Sequence, residues 1–121
     1  MHEYSLTQRI VGIVNETAQG YKNSKVTSVR LVIGENTSII PDCIQLYYDM
    51  IAQGTQAAGA RLDVRTVKPQ MYCPHCGRNF ERRVFSFECP DCGTPGNPTD
   101  IGNEAYVESI ELEDQTGFIT S

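Results

Sequence analysis

The chain has no tryptophan, only two histidines, and no apolar run approaching the ~20 residues that a membrane-spanning helix needs. Basic residues are scarce as well: ten Lys and Arg stand against fifteen Asp and Glu, a net charge of −5. That balance argues against a nucleic-acid binder, whose affinity depends on a basic face. The N-terminus lacks both a basic segment and a continuous apolar core, so no signal peptide is expected. The expected compartment is then the reducing cytoplasm, where paired cysteines favour metal over disulfide. The missing tryptophan excludes nothing.

What remains is 121 residues at 40% apolar content, enough for one ordinary domain or a small domain plus a stapled module. Residues 4–18 read as an amphipathic helix, because Leu6, Ile10, Ile13, Val14 and Thr17 recur at spacings of three and four. Lys25 to Ile33 alternates as a strand with Thr27, Val29, Leu31 and Ile33 on its core face. Gly34-Glu35-Asn36-Thr37 then turns the chain, and Glu35 reads as a turn residue rather than a general base. A second helix is expected from Pro41 to about Gln53, with Cys43, Leu46, Tyr47, Met50 and Ile51 as its buried stripe. Cys43 on that stripe reads as a small buried hydrophobe. Arg61 to Lys68 is a further strand, with Leu62, Val64 and Thr66 inward. Ala105 to Glu113 is a third, whose alternation Glu108 interrupts, which a bulge or a partly exposed face would explain. Asp114 to Ser121 is polar and expected to fray.

Between the last two strands the composition shifts. Met71 to Asn103 holds four of the six prolines, four of the ten glycines and four of the five cysteines. Cys73, Cys76, Cys89 and Cys92 have the spacing C-x2-C-x12-C-x2-C, two knuckles that aim four thiolates at one point. Gly77 and Gly93 follow the second cysteine of each knuckle, where the tight turn calls for an unusual backbone conformation. Phe80, Val84, Phe85 and Phe87 are expected to cover the hairpin between them. Zinc is the indicated metal; rubredoxin-like iron and a redox CxxC pair are the alternatives. Four sulfurs close the shell, so the zinc is structural and His75 stands beside it as a second-shell candidate.

The other histidine, His2, has a different chemistry open to it. The Met1 amine, the His2 amide nitrogen and the His2 imidazole can close adjacent chelate rings, a nitrogen-rich set suited to Ni(II) or Cu(II). Glu3 offers a further oxygen donor or orients the imidazole.

Taken in order, Met1-His2-Glu3-Tyr4-Ser5-Leu6, Gly34-Glu35, the two CxxC knuckles and Gly102-Asn103-Glu104 resemble the HypA/HybF family over essentially the whole chain. The resemblance implies a non-enzymatic nickel metallochaperone for [NiFe]-hydrogenase maturation. It implies an α+β fold, two helices packed on a three-stranded sheet, with a zinc-ribbon-like four-cysteine domain inserted before the last strand. The corresponding boundaries are residues 1–70 plus 103–121 for the nickel domain and 71–102 for the zinc domain. By position, Met1, His2 and Glu3 would hold Ni(II) as cargo, and Cys73, Cys76, Cys89 and Cys92 would hold structural zinc. The implied partners are a HypB-type GTPase and the hydrogenase large-subunit precursor, with a homodimer left open and no role for nucleic acid or membrane. Some members carry extra histidines beside the knuckles, whereas here only His75 is available, and Ala105 replaces the usual apolar residue after Gly-x-Glu. The competing readings are a zinc-ribbon interaction module in transcription or translation, and a CxxC redox protein.

Overall fold

The computed structural model describes residues 3–83 and 85–115. The elements follow in the order α1 (Glu3–Ala18), β1 (Ser24–Gly34), a 3-10 turn (Glu35–Thr37), α2 (Pro41–Ile51), β2 (Arg61–Val67), β3 (Gln70–Cys73), β4 (Arg78–Glu81), β5 (Asn97–Pro98) and β6 (Ala105–Asp114). They form two three-stranded sheets, ordered β2-β1-β6 and β4-β3-β5. The chain divides into two compact units. One comprises Met1–Val32, Ile39–Arg65 and Tyr106–Ser121, the other Ile33–Ser38 and Thr66–Ala105. No helix among the described residues is long and apolar enough to cross a membrane.

The core of the first unit is built from α1, α2 and β1. Leu6, Ile10, Val11, Val14 and Ala18 turn inward from α1, and Val26, Val29, Leu31 and Val32 from β1. Each large side chain removed from water contributes roughly 1.5–3 kcal/mol. Ile13 and Thr17, expected on the buried face, are exposed, because Thr7 and Val11 occupy the inward arc instead. The Thr7 hydroxyl tolerates burial by donating to the Glu3 carbonyl.

The second helix departs further from expectation. Its fully buried residues are Ile44 and Tyr48, while Leu46 and Met50 are more than half exposed and Cys43, Tyr47 and Ile51 are half-buried. Two overlapping apolar stripes run along this helix, and periodicity alone does not choose between them. The face bearing Tyr48 goes inward: its phenol donates to the Ala57 carbonyl at 2.7 Å, so the ring is buried without stranding its hydroxyl. Burial, and next the charge of Asp49, push this phenol above its usual range.

The strands also refine the periodic reading. Thr27 is exposed and Val26 is buried, so the inward parity of β1 changes between Val26 and Val29. On β6, Leu112 and Ile110 are half-buried, then Val107 and Ala105, which is the same change of parity. Backbone bonds join Gln115 N to Asn23 O and Gly34 N to Glu104 O, so the two strands run antiparallel. Eleven residues separate those bonds on each strand, from 23 to 34 and from 104 to 115, so the two strands span equal lengths between them. Glu108, which interrupts the alternation, is itself exposed. Thr66 is exposed on β2. Of the polar tail, Asp114 completes β6 and Gln115 bonds to Asn23, and residues 116–121 lie outside the described set.

Two glycines approach closely within the second unit. A Cβ on Gly34 would fall 2.0 Å from the Gly102 carbonyl oxygen and 2.1 Å from its carbon. The Asn36 N–H donates to that oxygen at 2.8 Å, and the Asn36 and Asn103 side chains are joined at 3.0 Å. Glu104 accepts the Gly102 N–H at 2.8 Å. The Gly34-Glu35 and Gly102-Asn103-Glu104 motifs thus form a backbone clamp in which side chains would collide.

Candidate metal centre

The first knuckle grows out of a hairpin. Antiparallel β3 and β4 pair Met71 with Phe80 and Cys73 with Arg78, so Cys73 sits at the strand end, fully buried. The turn closes with the Gly77 N–H on the Cys73 carbonyl at 2.8 Å, while the Cys76 N–H donates to Cys73 Sγ at 3.3 Å. The second knuckle repeats the design: the Gly93 N–H meets the Cys89 carbonyl at 2.8 Å. Gly77 and Gly93 adopt φ of +72° and +76°, the left-handed region in which glycine carries no Cβ penalty. A small ladder braces this second turn, with Cys89 N on Thr94 O at 2.9 Å and Gly96 N on Phe87 O at 2.7 Å.

These turns bring four free thiols together, all sulfur atoms lying within 4.8 Å of one another. Cys73 and Cys92 are 3.5 Å apart at sulfur, and Cys76 and Cys89 are 3.9 Å apart. A tetrahedron with metal–sulfur bonds of ~2.3 Å has sulfur–sulfur edges of about 3.8 Å, whereas a disulfide requires ~2.05 Å. The cluster has the dimensions of a tetrathiolate metal site. The donor set fits zinc: when bound, that ion supplies charge neutralisation and a crosslink between the knuckles, with no coordination position left for catalysis.

The electrostatics agree. Hydrogen bonds from the Thr94 hydroxyl and backbone N–H hold the Cys92 thiol down at about 6. Cys76 is pushed up to about 12, first by its hydrogen bond with Cys92, then by burial. Four thiols this close do not ionise independently, so a cation that takes all four thiolates must displace protons. Arg78, just past the first knuckle, forms an ion pair with Asp91 inside the second. That pair, and Thr94 beside Cys92, were missed from sequence; their only signal was adjacency to the cysteines.

His75 is exposed on the first knuckle and is not among the clustered groups. Of the aromatic residues expected to cover the hairpin, Phe80 does so, its ring lying where a Cβ on Gly96 would come within 2.5 Å. Phe85 and Phe87 are instead exposed, and Val84 lies outside the described residues.

At the other candidate site, Met1 and His2 lie outside the described residues. Glu3 opens α1, is only 8% exposed, and its Oε2 accepts the Ile40 N–H at 3.3 Å. Ile40 caps α2 without a polar side chain, held extended before Pro41, so the Glu3 carboxylate satisfies a donor there that water would otherwise take. Tyr4 packs edge-on against Tyr47, ring centroids 5.3 Å apart. Glu3 and Tyr4 thereby tie the start of α1 to α2.

A family model described as "Hydrogenase/urease nickel incorporation, metallochaperone, hypA" matches residues 1–112. The hydrogenase maturation factor HypA of Caldanaerobacter subterraneus subsp. tengcongensis is 45% identical over 114 residues, covering 93% of this chain and 100% of the relative. That of Dehalococcoides mccartyi strain 195 is 31% identical over 116 residues, 96% of this chain and 98% of the relative. Among solved structures, the nickel metallochaperone HypA of Helicobacter pylori superimposes with a TM-score of 0.61 at 23% identity, over 93% of this chain and 97% of that one. A second HypA solution structure, also 23% identical with the same coverage, gives 0.70. At that identity the two structures speak for the fold alone.

Proposed function

Because the chain belongs to the HypA family of hydrogenase/urease nickel-incorporation metallochaperones, we propose that it binds Ni(II) at its N-terminus and helps deliver it to the [NiFe]-hydrogenase large-subunit precursor. The observation that carries this reading is the family match across residues 1–112, which takes in Met1-His2-Glu3. In this proposal the Met1 amine, the His2 amide nitrogen and the His2 imidazole hold nickel in a nitrogen-rich, roughly planar set. Glu3 acts mainly as an orienting group, since its carboxylate already accepts the Ile40 N–H.

Cys73, Cys76, Cys89 and Cys92 hold the structural zinc, and His75 lies in its outer shell. Nickel handling is assigned to residues 1–70 with 103–121 and zinc binding to 71–102. The protein acts without catalysing a reaction, in the cytoplasm, with a HypB-type GTPase as working partner and self-association as a second mode of assembly.

The test is nickel titration of untagged, zinc-loaded protein beside His2→Ala and a form extended before Met1. Both variants are expected to lose nickel while keeping zinc and fold. If the extended form bound nickel as tightly as the parent, the amine would not be a ligand. The zinc-ribbon interaction reading requires no nickel site, so nickel binding that both variants abolish would dismiss it.

A further inference from the structure

The second unit carries a cavity of about 480 Å³ that the metal chemistry does not use, bordered by Glu35, Lys68, Glu81, Arg82 and Arg83. Its charge is unusual for this molecule. Three cations face two carboxylates there, whereas the chain as a whole carries fifteen acidic and ten basic residues. Elsewhere among the described residues three arginines are paired, Arg30 with Asp63, Arg65 with Glu108 and Arg78 with Asp91, while Arg9 and Arg61 stand singly. Lys68 meets Glu81 at 3.5 Å. Arg82 and Arg83, among the described residues, also have no carboxylate partner, and they differ from those two in standing side by side on one cavity.

The Arg82 guanidinium lies 5.9 Å from the centroid of the Phe87 ring, which orients its fork and leaves its donors available. Phe87 is 56% exposed and Phe85 is fully exposed. Phe85 also has φ of +63°, a left-handed conformation that strains a bulky residue. A strained backbone that displays an aromatic ring to water beside two unpaired guanidiniums has the composition of a recognition surface.

We infer that Arg82, Arg83 and the Phe85/Phe87 pair form a docking site for an acidic segment of a partner protein, one that alternates carboxylate and apolar side chains. Carboxylates would engage the two guanidiniums through paired hydrogen bonds, and the apolar side chains would cover the exposed rings. The mixed charge of the cavity favours this occupant over a nucleic acid: a phosphate at every residue would meet Glu35 and Glu81 as well as the guanidiniums. A peptide can instead turn amide N–H groups toward those two carboxylates. The inference is independent of the nickel ligands.

The test uses zinc-loaded, isotope-labelled full-length protein titrated by NMR with a short end-blocked peptide that alternates Glu or Asp with Leu or Phe. Shifts are expected to concentrate at Lys68, Arg82, Arg83, Phe85 and Phe87. Arg82→Gln/Arg83→Gln should weaken binding by about tenfold or more, as should replacing the peptide's carboxylates by amides. Zinc content should be unchanged, and Arg61→Gln, an exposed arginine outside the cavity, should bind as the parent does. Four results would overturn the inference: shifts scattered over the surface, equal binding of the amide peptide, equal weakening by Arg61→Gln, or equally tight binding of an oligothymidylate or inorganic phosphate.

Discussion

Replacing Cys76 with serine should uncouple the two units energetically. Among the described residues from 70 to 101, Met71 is the one large apolar side chain that is buried, and the other buried apolar positions there are the ligand candidates Cys73 and Cys89. Burying a methionine contributes about 1.5–3 kcal/mol. A structural zinc contributes roughly 10–16 kcal/mol in small zinc modules. The metal therefore outweighs the apolar core of this segment several-fold. Cys76 is the suitable site because it is only half-buried, so its loss disturbs packing less than that of Cys73. One sulfur of four carries about a quarter of the metal's contribution, ~3 kcal/mol, which is about a hundredfold in zinc affinity. Chelator competition should read that loss directly. Hydrogen exchange should then show β3 and β4 losing protection, while amides in α1, α2 and the centre of β1 keep theirs. Parental zinc affinity in Cys76→Ser, or equal loss of protection in the helices, would refute the reasoning.

Ile44→Ala should destabilise the protein by about 2–5 kcal/mol in chemical denaturation, whereas Leu46→Ser should change it by less than about 0.5 kcal/mol; comparable costs would mean that α2 faces the core as periodicity first indicated. Tyr48→Phe leaves the Ala57 carbonyl with only the longer bond from the Ala60 N–H at 3.4 Å and should cost about 0.5–1.5 kcal/mol at neutral pH. Because the folded state holds the Tyr48 phenol above its usual value, the unfolded chain releases this proton first. Stability should therefore fall as pH rises past about 10, by up to ~1.4 kcal/mol per unit, and Tyr48→Phe should remove that slope in denaturation series run at stepped pH. Gly34→Ala must push the Gly102 backbone aside, since the new methyl would overlap its carbonyl, and a loss of about 1–3 kcal/mol is expected in thermal unfolding. An unchanged melting temperature would show that the clamp yields freely.

Residue spacing and composition settled the number and order of the long elements and the position of the cysteine knuckles. They also indicated the left-handed conformation of the two knuckle glycines, Gly77 and Gly93, because each depends on local chemistry. A thiolate knuckle needs C-x2-C and a glycine to turn on, wherever the module sits. The metal class followed from the same four residues. Tertiary structure decided what local chemistry leaves degenerate. Two apolar arcs of α2 were available, and the arc that can bury a tyrosine hydroxyl against Ala57 goes inward. The pairing of β6 with β1, a partner distant in sequence, sets which of its residues are covered. Gly34 and Gly102 acquire their meaning only when the strands bring their backbones together. Glu3 reads from sequence as a free donor, and becomes an anchored group once Ile40 is beside it. Short-range geometry is written in residue spacing; the choice between faces and the pairing of distant groups belong to the assembled fold.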